Sequence, residues 1–436
     1  MTSKTLAFVF SVISLLLPTV RSHYYEKGDM KFYTGYLLAN ETTNSTLFYQ
    51  LIPALNSTID DPKPMILWLQ GGPGCSSQYG SWIEFGPWYV ANINGTLTPK
   101  NRNVTWSQYY HILLIDNPNN AGFSKAGSVN VTDTQTSQVE VYNALVRFFE
   151  VYPQLINNPL YAFGESYGGH YLPYLAYEIL TRGARFNFSG IGIGNAWTDP
   201  FTQTTSFGEY SYAAGVIDLN FKKELTTLGV IAQNLIRNGK MAEANDIFNQ
   251  IENNLTMINR TGGLFLNNYR SFLNFDPVDP IFNYYGLTQD FLNSSEAKTM
   301  YNVSQDFDYN LCNGDINNAW AYDQSTSVTE QLEYVLSRTR VLIFSGADDI
   351  ECNTAGVLTF ISKLKWAGIK DFKLSQKQIW KTKLGISGNV KTSTNLTFVT
   401  VYKAGHYVPF YQPENSLDMV KRFTDHQNDW TSPYLS

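Results

Sequence analysis

The five residues Gly164-Glu165-Ser166-Tyr167-Gly168 constrain this chain more than any other stretch. They follow a short apolar run, Leu160-Tyr161-Ala162-Phe163, and they open a stretch from Tyr167 to Thr181 that reads as a helix. A Gly-x-Ser-x-Gly between a strand and a helix makes a sharp turn that lifts the serine hydroxyl above the end of a sheet, with small residues at the outer positions leaving room for it. The helix that follows aims its first backbone N–H groups at the same spot. The pentapeptide alone recurs by chance; its flanks make it specific.

The rest of the chain supplies the sheet. Phe32 to Leu38 and Leu47 to Ile52 read as hairpin strands, and Met65 to Leu69 and His111 to Asp116 as apolar runs of the kind covered on both faces. A helix is expected from Gln135 to Tyr152, with Val139, Tyr142, Val146 and Phe149 on one stripe and Pro153 as its stop. Gly190 to Gly194, Arg340 to Phe344 and Thr397 to Tyr402 read as further strands, and a last helix begins near Pro413 with Leu417, Val420 and Phe423 facing inward. This alternation predicts a mainly parallel sheet flanked by helices, and the serine turn set within it points to an α/β-hydrolase fold. Between Asp199 and Tyr309 the pattern breaks. Helices over Phe221 to Ile236 and Met241 to Glu252, the former with a stripe of Leu225, Leu228, Ile231 and Leu235, predict an inserted helical cap. The expected organisation is a signal peptide over 1–22, core over 23–198, cap over 199–309 and core again over 310–436.

A serine nucleophile needs a base and an acid, in the chain order Ser, Asp, His on this fold. Five histidines are available. His23 and His111 precede Ser166, His170 lies one turn beyond it, and His426 sits in a polar tail. His406 remains, in the strand-end loop Ala404-Gly405-His406-Tyr407-Val408-Pro409. The acid should follow a strand, and Ser345-Gly346-Ala347-Asp348-Asp349 does so with two candidates that spacing does not separate. Oxyanion stabilisation requires two backbone donors. Tyr167 is placed to give one, and the loop Gln70-Gly71-Gly72-Pro73-Gly74-Cys75 after the Met65 to Leu69 strand to give the other. That loop has no Walker lysine, which argues against phosphate binding.

Met1 to Ser22 reads as a signal peptide, with Lys4 ahead of an apolar stretch from Leu6 to Leu17; an anchor is the rival reading, opposed by the short run and by Pro18. No later stretch is long and apolar enough to span a membrane. A dozen Asn-x-Ser/Thr sequons, from Asn40 to Asn395, fit the secretory route. The net charge is −6 with no long basic run, which argues against nucleic acid and against a polybasic membrane surface. Three cysteines allow at most one internal bridge.

Four blocks in order resemble the serine carboxypeptidase family: Trp68 to Ser77, Gly164 to Tyr171, Gly346 to Asn353 and Ala404 to Pro409, with Cys312 to Asn317 as a fifth. The resemblance implies a peptidase that releases C-terminal amino acids by a Ser166–His406–Asp349 mechanism, with Gly72 and Tyr167 as oxyanion donors, and without metal or cofactor. It selects Asp349 over Asp348, implies a Cys75–Cys312 bridge, and leaves Cys352 as a free thiol near the substrate. It assigns the grip on the substrate carboxylate to Gln70, Gly71, Glu84 and Glu165, with Gln70 where the family more often has Asn. It also implies that Tyr407 shapes the leaving-residue pocket. A carboxyl pair can hold a carboxylate only while a proton is shared among them, so activity is expected to be best in mild acid. The partners expected are peptide or protein C-termini, a homodimer is one open assembly, and the destination is a lysosome, vacuole or the outside. Two rival readings keep the same motifs: an acyltransferase that passes the acyl group to an alcohol, and a protective binding protein.

Overall fold

The computed structural model describes residues 22–257 and 280–435. The expected signal peptide apart from Ser22, the Asn259 sequon and part of the expected cap lie outside these residues.

Eleven strands form one sheet: β1 (His23–Lys27), β2 (Met30–Asn40), β3 (Ser45–Ile52), β4 (Met65–Leu69), β7 (His111–Ile115), β8 (Leu160–Glu165), β9 (Phe188–Gly194), β10 (Arg340–Gly346), β11 (Gln378–Thr382), β12 (Gly385–Ser393) and β13 (Leu396–Val401). Their order is β1-β2-β3-β7-β4-β8-β9-β10-β13-β12-β11. The central six, β7 to β13 in that order, are parallel, and antiparallel strands extend both sides. A separate hairpin, β5 (Trp88–Ile93) and β6 (Thr96–Asn101), lies between β4 and β7 in sequence.

Alternation along the strands divides the interior in two. On β4, Leu67 and Leu69 join the core that includes Val141, Leu145 and Phe148 of helix α1 (Thr134–Val151) and Leu172 and Leu175 of helix α2 (Gly168–Arg182). Ile66 and Trp68 face the other core, with Trp106, Phe163 and Phe423. The fully buried strands are the continuous apolar runs, because both faces are covered.

Two helix stripes differ from the sequence expectation. On α1 the buried face runs through Val141, Ala144, Leu145 and Phe148, whereas Val139 and Tyr142 are half-buried and Val146 is exposed. On the helix Leu219–Arg237 the buried residues are Phe221, Leu225, Gly229 and Ala232, and Ile231 is exposed. Small residues there let the helix approach its neighbours: a Cβ on Gly229 would lie 2.6 Å from the Thr204 carbonyl oxygen. Between β9 and β10 the described chain is helical, including Leu219–Arg237, Met241–Thr256 and Pro280–Asn293. The sequon residue Asn254 is buried on the second of these helices.

Candidate active site

Ser166 sits between β8 and α2 with φ +57°, a left-handed conformation that is costly for a residue with a Cβ. Its N–H donates to the Gly194 carbonyl at 3.0 Å, and its own carbonyl accepts from Gly169 and Trp197 at 2.8 and 2.9 Å. The turn is thus pinned by its own helix and by the end of β9. Tyr167, which caps α2, is buried, and its hydroxyl donates to Asp323 Oδ2 at 2.5 Å. The same oxygen accepts from Thr134 at the start of α1, so Asp323 joins the elbow to a second helix.

The parallel register brings the other groups to this end of the sheet. Glu165 pairs with Gly194, Gly194 with Phe344, and Gly346 with Val401. Ser166, Asn195, Asp349 and His406 therefore follow the C-terminal ends of β8, β9, β10 and β13. His406 Nδ1 donates to Asp349 Oδ2 at 2.9 Å, and both side chains are buried. Asp349 Oδ2 also accepts from Asn195 Nδ2 at 2.6 Å and from the Cys352 N–H at 3.3 Å, while Oδ1 takes the Glu351 N–H at 2.9 Å. Gly346 makes the approach possible, since a Cβ there would lie 2.0 Å from the Gly405 carbonyl oxygen. Burial alone would lower the imidazole pKa; the charges of Asp349, Glu351 and Glu84 and the Asp349 hydrogen bond outweigh it and lift it to about 9. Among the described residues, the Ser166 hydroxyl makes no hydrogen bond to this imidazole.

The remaining histidines have other work. His111 Nδ1 accepts the Ala54 N–H at 3.0 Å, which leaves Nε2–H to donate to the Asp61 carbonyl at 3.0 Å. His170 is buried with its ring nitrogens against the carbonyls of Trp197 and Thr326. His426 is exposed just beyond the terminal helix.

The glycine-rich loop is pressed onto the elbow. A Cβ on Gly71 would lie 2.6 to 2.7 Å from Glu165 O, Ser166 Cβ and Tyr167 N, so only glycine fits. Among the described residues the amides of Gly72 and Tyr167 donate to no protein acceptor. A Cys75–Cys312 disulfide ties the loop to the segment that begins at Leu311. Around it, Ser76 N–H donates to Leu311 O at 2.8 Å and Asn313 N–H to Gly74 O at 3.0 Å. Asp116 takes the Ser76 hydroxyl at 2.6 Å and the Ser77 N–H at 2.9 Å from the other side.

Beside the serine lies a buried carboxyl pair. Gln70 Nε2 donates to Glu165 Oε1 at 2.8 Å and to Glu84 Oε1 at 3.3 Å, and Gln70 Oε1 accepts from Trp68 Nε1 at 2.7 Å. The second oxygens, Glu84 Oε2 and Glu165 Oε2, are buried and have no hydrogen-bond partner among the described residues. Burial pushes Glu84 up to about 7. Burial, then the charge of Glu84 and its contact, push Glu165 well above the usual range. Burial is the largest cause for both, and for Glu165 it comes ahead of the Glu84 charge. Glu84 rides on a short π-helical turn, Gly80–Phe85. Arg102 grips the end of that turn, donating from Nη2 to Trp82 O at 2.8 Å and from Nε to Gly86 O at 3.0 Å.

The structure thus brings together Gln70, Gly71, Glu84, Glu165 and the elbow, and separately His406 with Asp349. Cys352 is free and buried, its thiol pushed up by burial and by Asp349 and Glu351. Tyr407 is half-buried and stacks on Tyr79 at 5.1 Å. Asn195, Asp116, Asp323 and Arg102 were not found from sequence. Only Asn195 had a visible signal, as the polar residue ending the strand-like Gly190 to Gly194 run.

Comparison with known proteins places these elements in context. The family model described as serine carboxypeptidase matches residues 24–426. Serine carboxypeptidase-like 50 of Arabidopsis thaliana is 33% identical over 89% of this chain and 86% of its own length. Venom serine carboxypeptidase of Apis mellifera is 33% identical over 90% and 84%. The crystal structure of Kex1(delta)p, a prohormone-processing carboxypeptidase from Saccharomyces cerevisiae, superposes with a TM-score of 0.78, at 26% identity and with 91% of each chain covered.

Proposed function

The chain belongs to the serine carboxypeptidase family and is a serine-type carboxypeptidase, and we propose that Ser166, His406 and Asp349 carry its reaction. His406 Nε2, in its neutral form, takes the proton of the Ser166 hydroxyl as its oxygen attacks the last peptide carbonyl, and Asp349 holds the Nδ1–H in place. Protonation of Glu84 in mild acid removes one of the charges that raise the imidazole pKa and so favours that neutral form. The Ser166–His406 hydrogen bond forms when substrate is bound, since such contacts are often long or misaligned in the free enzyme. The carbonyl oxygen takes up negative charge facing the amides of Gly72 and Tyr167. The C–N bond breaks, the imidazolium gives its proton to the departing amine, and water releases the shortened peptide from Ser166 by the same steps.

What makes the site a carboxypeptidase is the pair of orphan buried oxygens on Glu84 and Glu165 beside the nucleophile. Buried oxygens without donors call for a proton and a partner. A substrate α-carboxylate held by the Gly71 backbone and one protonated glutamate, with the Gln70 amide orienting both glutamates, satisfies both, and it fixes the last peptide bond over Ser166. Tyr407 and Cys352 border the side-chain pockets, and the helices Met241–Thr256 and Pro280–Asn293 roof the site. Peptide and protein C-termini are the substrates. The Met1 to Ser22 segment, the exposed sequons and the disulfide support a secretory route.

A blocked dipeptide with a free C-terminus and its C-terminal amide form the test. The acid should be hydrolysed with a kcat/KM at least about a hundredfold higher than the amide, since a lost charge-assisted contact costs roughly 2–3 kcal/mol. Ser166→Ala should remove activity on both. Equal rates on the two substrates would overturn the carboxylate grip.

A further inference from the structure

The chain has no long basic run, yet the fold gathers its lysines at one rim. Residues 370–391 hold six lysines and one acid, Asp371, a local charge of +5 in a chain of −6, so the remainder carries −11. This segment is the helix Ile369–Leu374 followed by β11 and most of β12, and β11 is the outermost strand of the sheet. The same segment carries unusually exposed apolar side chains. Leu374 is 74% exposed, Leu384 and Ile386 are 59% each, and Ile379 is 52%.

Ile379, Lys381 and Ile386 lie on one face of the hairpin. Ile379 pairs with Asn389, which lies on the same face of β12 as Lys391. Lys391 reaches over to the helix, donating to the Lys373 carbonyl at 3.0 Å and lying 5.1 Å from the Phe372 ring. Lys381 pairs with Ile386 across the hairpin, and Leu384 stands in its turn. The base is rigid, with Trp380 buried and its Nε1 donating to Asp418 at 2.9 Å. Among the described residues neither Lys377 nor Lys381 forms an ion pair.

Lysines on an edge strand protect it from pairing with other sheets, but that role needs no projecting aliphatics beside them. Isolated exposed apolar residues need no explanation; four within thirteen residues, interleaved with cations, do. Leu384 and Ile386 project from a hairpin turn, which suits a partner that can be penetrated, and the charge selects an anionic one. We infer that the surface formed by Leu374, Ile379, Leu384 and Ile386 with Lys377 and Lys381 docks the enzyme peripherally on an anionic lipid surface.

Flotation of the full mature enzyme with phosphatidylcholine vesicles, with and without about 30% phosphatidylserine, tests this. Binding at least tenfold stronger to the anionic vesicles, and weakened by salt, is expected. Lys377→Glu/Lys381→Glu should reduce it by roughly thirtyfold or more. Leu384→Ser/Ile386→Ser should reduce it about tenfold on anionic vesicles. All variants should hydrolyse a soluble dipeptide like the wild type, which establishes that they fold. Equal or absent binding to both vesicle types, or variants that float like the wild type, would overturn the inference. So would a lysine-dependent self-association in sedimentation without vesicle binding, which would assign the surface to a second copy.

Discussion

Asn195 Nδ2 and His406 Nδ1 donate to the same oxygen of Asp349, at 2.6 and 2.9 Å. Asn195 also accepts the Gly346 N–H through Oδ1 at 3.3 Å, so it bridges the ends of two strands. It is a positioning residue: it fixes the carboxylate that fixes the imidazole. Asn195→Ala should lower kcat by about 10- to 100-fold with little change in KM, while Asn195→Asp should lose more because a second carboxylate would face Asp349. Steady-state kinetics on a blocked dipeptide give the answer. A change confined to KM would remove Asn195 from this role.

The carboxyl pair sets the pH profile of binding. Glu84 is raised to about 7 and Glu165 further, so at least one proton is present in mild acid and the grip is intact. KM for a free-acid dipeptide should rise as pH passes about 7. Glu84→Gln, a permanent donor, should flatten that rise. Because the Glu84 charge helps to hold the imidazole protonated, the same variant should move the acid limb of kcat to lower pH. A KM unchanged between pH 5 and 8 in the wild type would rule out the proton-sharing account.

Arg102 should tune Glu84 as well as hold it. Its charge lowers the Glu84 pKa against the larger effect of burial. Other groups acting on this pair are His406, Asp349 and the neighbouring Glu165. Arg102→Met should therefore shift the KM rise to higher pH, and Arg102→Lys should restore part of the shift. A uniform increase in KM with the limb unmoved would mean that Arg102 acts only as a structural clamp.

Stability should also favour acid. Glu84, Glu165 and Asp116 all have folded-state pKa values raised above the usual carboxylate range, Asp116 to about 6 by burial. The folded chain then binds more protons than the unfolded chain, so this contribution is complete below about pH 4 and is lost as pH climbs through 6 to 7 and beyond. His406, raised to about 9, adds stability that is complete below about 6.5 and lost as pH rises through 9. Melting temperatures measured from pH 5 to 9 should fall across that range, and Glu84→Gln/Glu165→Gln should fall less steeply.

Loss of the disulfide should be felt at the active site. Removing Cys75–Cys312, which closes a loop 237 residues long, should cost on the order of 2–5 kcal/mol in urea denaturation. It should also lower kcat, because the glycine-rich loop loses its brace while Asp116 still holds Ser76. Full kcat in a folded Cys75→Ser/Cys312→Ser enzyme would show that Asp116 and the Leu311 to Asn313 backbone contacts suffice.

Much of this was legible along the chain. The runs at Met65–Leu69 and Leu160–Phe163 announced buried strands because both faces are covered, and Pro413 announced the final helix. Helix phase was less legible. Val139 and Val141 are equally apolar, and only the position of the sheet decides which of them is buried. The lysine-rich stretch 370–391 is visible in the sequence, but that Leu374, Ile379, Leu384 and Ile386 stand exposed among its lysines is decided only by how the helix and hairpin pack.

The local order of residues determined the elbow at Ser166 and the parallel sheet beneath it, since each depends on neighbours in sequence, and elimination among five histidines pointed to His406 as the proposed base. Tertiary structure alone decided that Asn195 anchors Asp349, that Arg102 clamps the turn carrying Glu84, and that Asp323 and Asp116 brace the two loops. Those contacts join residues as far as 189 positions apart, and what selects them is burial and hydrogen-bond satisfaction within the assembled core, which no window of sequence contains.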